Sequence, residues 1–145
     1  MYSFVLFSHS IMRWIVLLLA VYLVLRSLMN WRGGRSWDGR LGKMFAGLVD
    51  LQVLLGVVLY VGLSPVMRII FSDFGAAMQS SELRFFAIEH MPVMILAAVF
   101  AHLGSRVDKS ERDDAGKWQR AALWFGLTLV SFLAGIPWFR PLLPF

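Results

Sequence analysis

The sequence predicts an all-α integral membrane protein, built as an up-down bundle of four helices. The first observation is composition: 59% of the 145 residues are hydrophobic and 16% are charged, against about 45–50% apolar and about 25% charged residues in soluble domains. The second is a set of four apolar runs, each close to the roughly 20 residues that cross a hydrocarbon core. These runs cover residues 4–25, 44–63, 85–103 and 121–138. Residues 1–145 are therefore predicted to form a single transmembrane domain.

The first run predicts a retained helix. A cleaved signal peptide begins with basic residues, but residues 1–7 carry none, and the basic residues Arg26, Arg32 and Arg35 follow the run. Helices are favoured over a transmembrane β-barrel, whose strands alternate apolar and polar residues, because Trp14–Leu25 and Leu51–Val61 show no such alternation.

The arginines and lysines predict the orientation of the helices. The first and third connections each carry five basic residues, namely Arg26, Arg32, Arg35, Arg40 and Lys43, and Arg106, Lys109, Arg112, Lys117 and Arg120. By the positive-inside rule these connections face the cytoplasm, so both termini lie on the outer, periplasmic side of a bacterial inner membrane. The net charge of +5 comes from these flanks. It does not indicate a nucleic-acid partner, because no basic domain exists outside the bilayer.

The second connection, between helices two and three, is the longest. Its segment Pro65–Phe74 is predicted to form a short amphipathic helix along the outer membrane surface. Ser80 or Ser81 is expected to cap the third long helix.

Charged and titratable residues inside the apolar runs give the main indication of function. A charged side chain near the bilayer centre costs about 2.5–3.5 kcal/mol even on the mildest insertion scale, so it is kept where it meets a partner, a cofactor or water. Helix one carries His9 and Arg13 near its outer edge. Helix three runs in the opposite direction and brings Glu89 and His90 to a similar depth.

Two histidines at one depth predict a b-type haem. Short connections favour an up-down bundle in which helices one and three lie diagonally across the core, so His9 and His90 face a shared interior. Two imidazoles from facing helices are the axial ligands of a six-coordinate haem b, and an arginine near the outer edge is suited to its propionates. His9 and His90 are thus the predicted metal ligands, supported by Arg13 and Glu89.

Other interpretations remain open. His9 and His102 are also compatible with hydrated histidines at the membrane interfaces, and Arg13 and Glu89 with a structural ion pair. The chain is equally compatible with a cofactor-free accessory subunit of a larger respiratory or photosynthetic complex. A third hypothesis is a quinone or proton-handling site built from His102, Asp50 and Gln52. No cysteine is present, which excludes c-type haem, and no nucleophile lies beside a base, so a redox or accessory subunit is favoured over an enzyme.

The same polar residues stand in a recurring pattern. It comprises His9-Ser10-x-x-Arg13-Trp14, Asp50-x-Gln52-x-x-Leu55-Gly56-x-x-Leu59-Tyr60, Arg84-Phe85-x-x-x-Glu89-His90, His102-x-Gly104 and Ile136-Pro137-Trp138. This pattern resembles a family of small bacterial four-helix membrane proteins, often labelled cytochrome-b-like or uncharacterised. The resemblance spans nearly the whole chain. It implies that His9, His90 and His102 belong to the family's pattern.

Overall fold

The computed structural model describes residues 1–141, and every regular element within that range is helical. In chain order the helices are α1 (Tyr2–Arg32), α2 (Arg40–Val58), α3 (Pro65–Ser72), α4 (Phe74–Gln79), α5 (Ser81–Arg84), α6 (His90–Ser105) and α7 (Asp114–Gly135). A π-helical turn, Leu59–Leu63, extends α2, and a second one, Phe85–Glu89, joins α5 to α6. A short 3-10 turn, Val107–Lys109, follows α6.

The long helices α1, α2, α6 and α7 pack in a ring. Helix α1 contacts α2 and α7, and α6 contacts the same two helices. Consecutive long helices are therefore neighbours, and α1 and α6 are opposite members of the ring. At the centre Phe125 of α7 lies against Gly104 of α6 and Gly42 of α2, where a Cβ atom on either glycine would overlap its ring. Small residues of this kind allow helices to approach closely.

Three helical segments are long and apolar enough to cross a membrane: Tyr2–Arg32, Arg40–Leu63 and Ser81–Ser105. Only 28%, 28% and 17% of their most apolar windows are buried within the chain, so most of these apolar residues face outward. This arrangement is typical of helices that contact lipid.

Helix α7 is not among the helices that are apolar enough to cross a membrane. The fourth predicted span therefore stays a prediction. Lys117 and Arg120 lie in its first two turns and lower its hydropathy. The predicted run at 121–138 also extended three residues too far, because the helix ends at Gly135. Pro137 disfavours a helical conformation at Ile136, which is extended.

The connection between α2 and α6 contains the predicted short helix, which ends at Ser72, two residues earlier than expected. The side chains of Ser64, Asp73 and Ser80 cap α3, α4 and α5 by accepting hydrogen bonds from backbone N–H groups. Of the two serines that the sequence offered as a cap, Ser80 and Ser81, the structure shows Ser80 in that role. A small separate core, made of Met67, Ile70, Ala77 and Ala87, packs this connection onto the π-helical turn before α6.

The opposite end of the molecule, called here the basic end, holds the connections α1–α2 and α6–α7. Arg26 forms an ion pair with Asp38, with 3.0 Å between Nη2 and Oδ2. Lys43 pairs with Asp108, and this cation holds the pKa of the Asp108 carboxyl below its ordinary value. Trp118 donates from its indole nitrogen to the carbonyl of Arg35 at 2.9 Å, which fixes the first connection against α7.

Candidate cofactor site

A cavity of about 500 Å³ lies between the long helices at the end opposite the basic end. Its volume falls within the range of about 300–1,000 Å³ that is common for sites of small molecules and cofactors. Most of the lining is apolar, with a few polar side chains. The titratable and amide side chains in the lining are Tyr2, His9, Arg13, Gln52, Tyr60, His90 and Arg140.

His90 is held by a backbone carbonyl. Its Nδ1 donates to the carbonyl oxygen of Gly135 at 2.7 Å. A carbonyl only accepts hydrogen bonds, so the proton of a neutral ring is on Nδ1 and the lone pair is on Nε2. Metal-ligating histidines commonly show this arrangement, in which the second ring nitrogen donates to a carbonyl or carboxylate and fixes the tautomer.

The end of α7 explains why that carbonyl is available. The last four carbonyls of a helix have no partner within the helix. Gly135 is the last residue of α7, and His90 accordingly satisfies one of these carbonyls.

A π-helical turn precedes His90 and sets its direction. Pro92 has no N–H to donate within the first turn of α6, and the backbone N–H of His90 bonds the carbonyl of Phe85, five residues earlier. In the same turn the carbonyl of Ala87 accepts a hydrogen bond from the Tyr60 hydroxyl at 3.0 Å. Tyr60 lies in the other π-helical turn, so the two turns are joined beside the cavity. Such turns occur often at functional sites.

His9 contacts Gln52 of α2. The Gln52 amide nitrogen donates to the backbone carbonyl of His9 at 3.1 Å and lies 3.4 Å from its Nε2. This contact presents an N–H to Nε2, so the ring lone pair is on Nε2 and its proton is on Nδ1. Within residues 1–141, Nδ1 of His9 and Oε1 of Gln52 are buried and have no hydrogen-bond partner.

Gly56 makes room for the His9 ring. It lies one turn after Gln52 on α2, and a Cβ atom there would come within 3.2 Å of Cε1 of His9. That distance is closer than ordinary van der Waals contact. The absence of a side chain at Gly56 therefore lets His9 pack against the α2 backbone.

Two arginines line the cavity. Arg13 lies one turn after His9, and its guanidinium carbon is 5.6 Å from the ring centroid of Trp14. Arg140 forms an ion pair with Glu82, donating from Nε at 2.9 Å and also from Nη2, and lies over the ring of Phe86 at 4.6 Å. Guanidinium groups bind carboxylates by paired hydrogen bonds, and two donors of Arg140 already bind Glu82. Arg13 is therefore the arginine of the lining that is suited to an anionic ligand group.

The predicted ion pair between Arg13 and Glu89 is wrong. Glu89 does not line the cavity, and its ion pair in the described part of the chain is with Arg84, with 3.1 Å between Oε1 and Nε. Arg84 immediately precedes the π-helical turn and Glu89 is its last residue, and this geometry places residues five apart above one another. Both side chains are nearly half exposed.

The hypothesis that grouped Asp50, Gln52 and His102 in one site is also wrong for Gln52. Asp50 bonds His102, with 2.8 Å between Oδ1 and Nε2, whereas Gln52 is buried beside His9. Residues two apart on an α-helix point in directions about 200° apart. The side chains of Asp50 and Gln52 consequently lie on different sides of α2.

The structure thus brings His9, His90 and Arg13 to one cavity and leaves Glu89 outside it. Sequence reasoning did not assign Gln52 to this site, although its four-residue spacing from Gly56 predicts a shared helix face. It also missed Arg140. Within residues 1–141 no group of three or more histidine or acidic side chains is placed to hold a metal ion.

Comparison of the chain with models of protein families, with curated proteins and with solved structures finds no match. The functional assignment therefore depends on the geometry of the cavity.

Proposed function

We propose that this chain is a b-type haem-binding, electron-transfer subunit of a bacterial inner membrane, with His9 and His90 as the axial ligands. The main support is the position of His90, whose Nδ1 donates to the Gly135 carbonyl while its ring lines the same cavity as His9. That arrangement is the usual one for a histidine that holds a metal through Nε2.

The remaining residues fit the same group. His9 would hold the iron through Nε2, the nitrogen that carries the lone pair. Arg13 would bind a propionate, Arg140 would bind the second one in exchange for its ion pair with Glu82, and the apolar lining would exclude water and tune the reduction potential. A haem bound in this way supplies reversible one-electron transfer. The chain contributes ligand orientation, charge compensation and a low-dielectric environment.

The proposal includes the arrangement of the chain in the membrane. The ring of α1, α2, α6 and α7 would be a four-helix up-down bundle, with α7 as the fourth span and the cavity near the outer side. Reporter fusions or labelling of introduced cysteines should place Gly33 and Ala115 in the cytoplasm and Ala76 outside. The opposite labelling pattern would reverse the orientation and place the cavity near the cytoplasm.

The decisive experiment is a visible absorption spectrum of the protein purified in detergent from cells supplied with a haem precursor. The oxidised protein should show a sharp Soret band, and dithionite should produce a reduced α band. One substitution made at all three histidines gives matched variants. His90→Gln should lose most of the bound haem, His9→Gln should lose the six-coordinate spectrum, and His102→Gln should retain the wild-type spectrum because His102 lies outside the cavity.

Two results would overturn this assignment. A folded protein that carries no chromophore under these conditions would favour a cofactor-free accessory subunit of a respiratory or photosynthetic complex. Equal loss of haem in all three glutamine variants would show that the effect is not specific to the cavity.

A quinone is the second candidate for the same cavity. The observation that favours it is the pair of buried atoms without partners within residues 1–141, a donor at Nδ1 of His9 and an acceptor at Oε1 of Gln52. A quinone carbonyl accepts from such a donor, and a quinol hydroxyl donates to such an acceptor. Here the purified protein would contain an extractable quinone in place of haem, and Gln52→Met would remove it.

A further inference from the structure

A second polar site lies outside the cavity, where α2 and α6 pack together. His102 of α6 and Asp50 of α2 form a hydrogen-bonded pair at 2.8 Å, and their side chains are 40% and 55% exposed. Neither residue lines the cavity. The pair is therefore open to whatever surrounds the helices.

The pair lies within the apolar part of both helices. Asp50 is seven residues beyond Lys43, which marks the basic end through its ion pair with Asp108. Seven residues of α-helix rise about 10 Å. His102 lies three residues, about 5 Å, before the end of α6 at Ser105. Both residues are inside segments apolar enough to cross a membrane, and ionisable residues in such segments mark functional sites.

The pair offers one hydrogen-bond donor and one acceptor to a ligand. The hydrogen bond between Nε2 and Oδ1 leaves Nδ1 of His102 and Oδ2 of Asp50 as the remaining polar atoms of the two side chains. Within residues 1–141, neither Nδ1 of His102 nor Oδ2 of Asp50 has a hydrogen-bond partner. The quinone and quinol forms of one head group match both atoms, since a carbonyl accepts and a hydroxyl donates.

Space for a head group exists beside the carboxylate. Side chains on a helix lean toward its N-terminus, so Asp50 lies over the turn that contains Gly47. Gly47 is exposed and a Cβ atom there would meet nothing within 4 Å, so the position is open; the gap that the missing side chain leaves on the surface of α2 is called here the notch. Exposed aliphatic side chains, among them Leu54 and Val99, lie one turn away on the two helices and suit an isoprenoid tail.

We propose that His102 and Asp50 bind the head group of a lipid-soluble quinone or quinol, at the outer surface between α2 and α6, with the notch at Gly47 receiving the ring. The site is independent of the haem proposal because it shares no residue with the cavity. It differs from the second candidate function in its position on the molecule.

The test uses the full chain in lipid nanodiscs and a decyl-tailed benzoquinone as the probe. His102→Leu removes the donor and should weaken binding roughly tenfold. Gly47→Leu leaves the pair intact, fills the notch and should weaken binding by a similar factor. Gln52→Met changes only the cavity and should leave the dissociation constant unchanged. A photoreactive quinone should label peptides of α2 and α6 near Asp50.

Three outcomes would overturn the proposal. The first is the absence of saturable binding to the wild-type protein. The second is loss of binding in Gln52→Met with retention in His102→Leu, which would place the quinone in the cavity. The third is a change of oligomeric state in His102→Leu without quinone binding, which would make this face an interface between protein chains. Each result is separate from the haem spectrum, which both surface variants should retain.

Discussion

Replacing Gln52 by methionine tests the assignment of His9 as a haem ligand. The side chain keeps its length but loses the hydrogen bond of 3.1 Å to the His9 carbonyl and the longer contact of 3.4 Å to Nε2. A typical hydrogen bond contributes about 0.5–1.5 kcal/mol, and a contact of 3.4 Å falls at the weak end. The substitution also removes Oε1, which is buried without a partner in residues 1–141 and costs about 1–3 kcal/mol. The lost hydrogen bonds destabilise the protein, and removal of the unpartnered Oε1 stabilises it by a similar amount. The free energy of unfolding should therefore change by less than about 1.5 kcal/mol.

Haem affinity should respond differently from stability. If His9 held the iron through Nε2, the Gln52 amide would no longer contact that atom, so Gln52→Met should leave the dissociation constant of haem unchanged or lower it by up to about threefold. The measurement is a haem titration of the apoprotein in detergent, followed by absorbance, with His102→Gln as the control. A rise of more than about tenfold in the dissociation constant would refute the assignment, because Gln52 would then be required to hold the ligand.

Three further predictions concern local geometry. Gly56→Val should displace His9 and weaken haem binding, because overpacking at a site with 3.2 Å of clearance costs about 1–3 kcal/mol; the haem titration measures it. A double-mutant cycle of thermal unfolding on Arg84→Gln and Glu89→Gln should give a coupling of about 0.2–1 kcal/mol, as for exposed pairs. Because the lysine partner of Asp108 lowers the pKa of this carboxyl below 3.8, its stabilisation is present above that pH and lost as the pH falls below it. Asp108→Asn should therefore make unfolding in detergent less dependent on pH in the acid range.

The long helices were predictable because length and hydropathy determine them. Each predicted run lies within a continuous helical segment, with the π-helical turns included, apart from the last three residues of the run at 121–138. The π-helical turns were not predictable from the pattern. They depend on hydrogen bonds between distant segments, such as the one from Tyr60 to Ala87. The prediction that Glu89 pairs with Arg13 failed for the same reason, because the π-helical turn brings Arg84 closer to Glu89 than a regular α-helix would.

The site was predictable in part. Matching the depth of His9 and His90 on antiparallel helices was enough to predict that they share an interior, since helix rise is constant. Depth alone does not give direction around the helix axis. That is why Glu89, next to His90 in sequence, was expected in the cavity but lies outside it. The role of Gly135 was hidden because its contribution is a backbone carbonyl, which no side-chain pattern reveals.

Helix periodicity explains why α2 and α6 each serve two sites. Asp50 and Gln52 differ by about 200° around α2, so one of them must face away from the interior when the other faces into it. On α6, His90 and His102 are twelve residues apart, which corresponds to about 120° around the axis and about 18 Å along it. The inward pair, Gln52 and His90, lines the cavity, and the outward pair, Asp50 and His102, meets on the surface. Because the two sites share helices but no contacts, substitutions in one should leave the chemistry of the other intact.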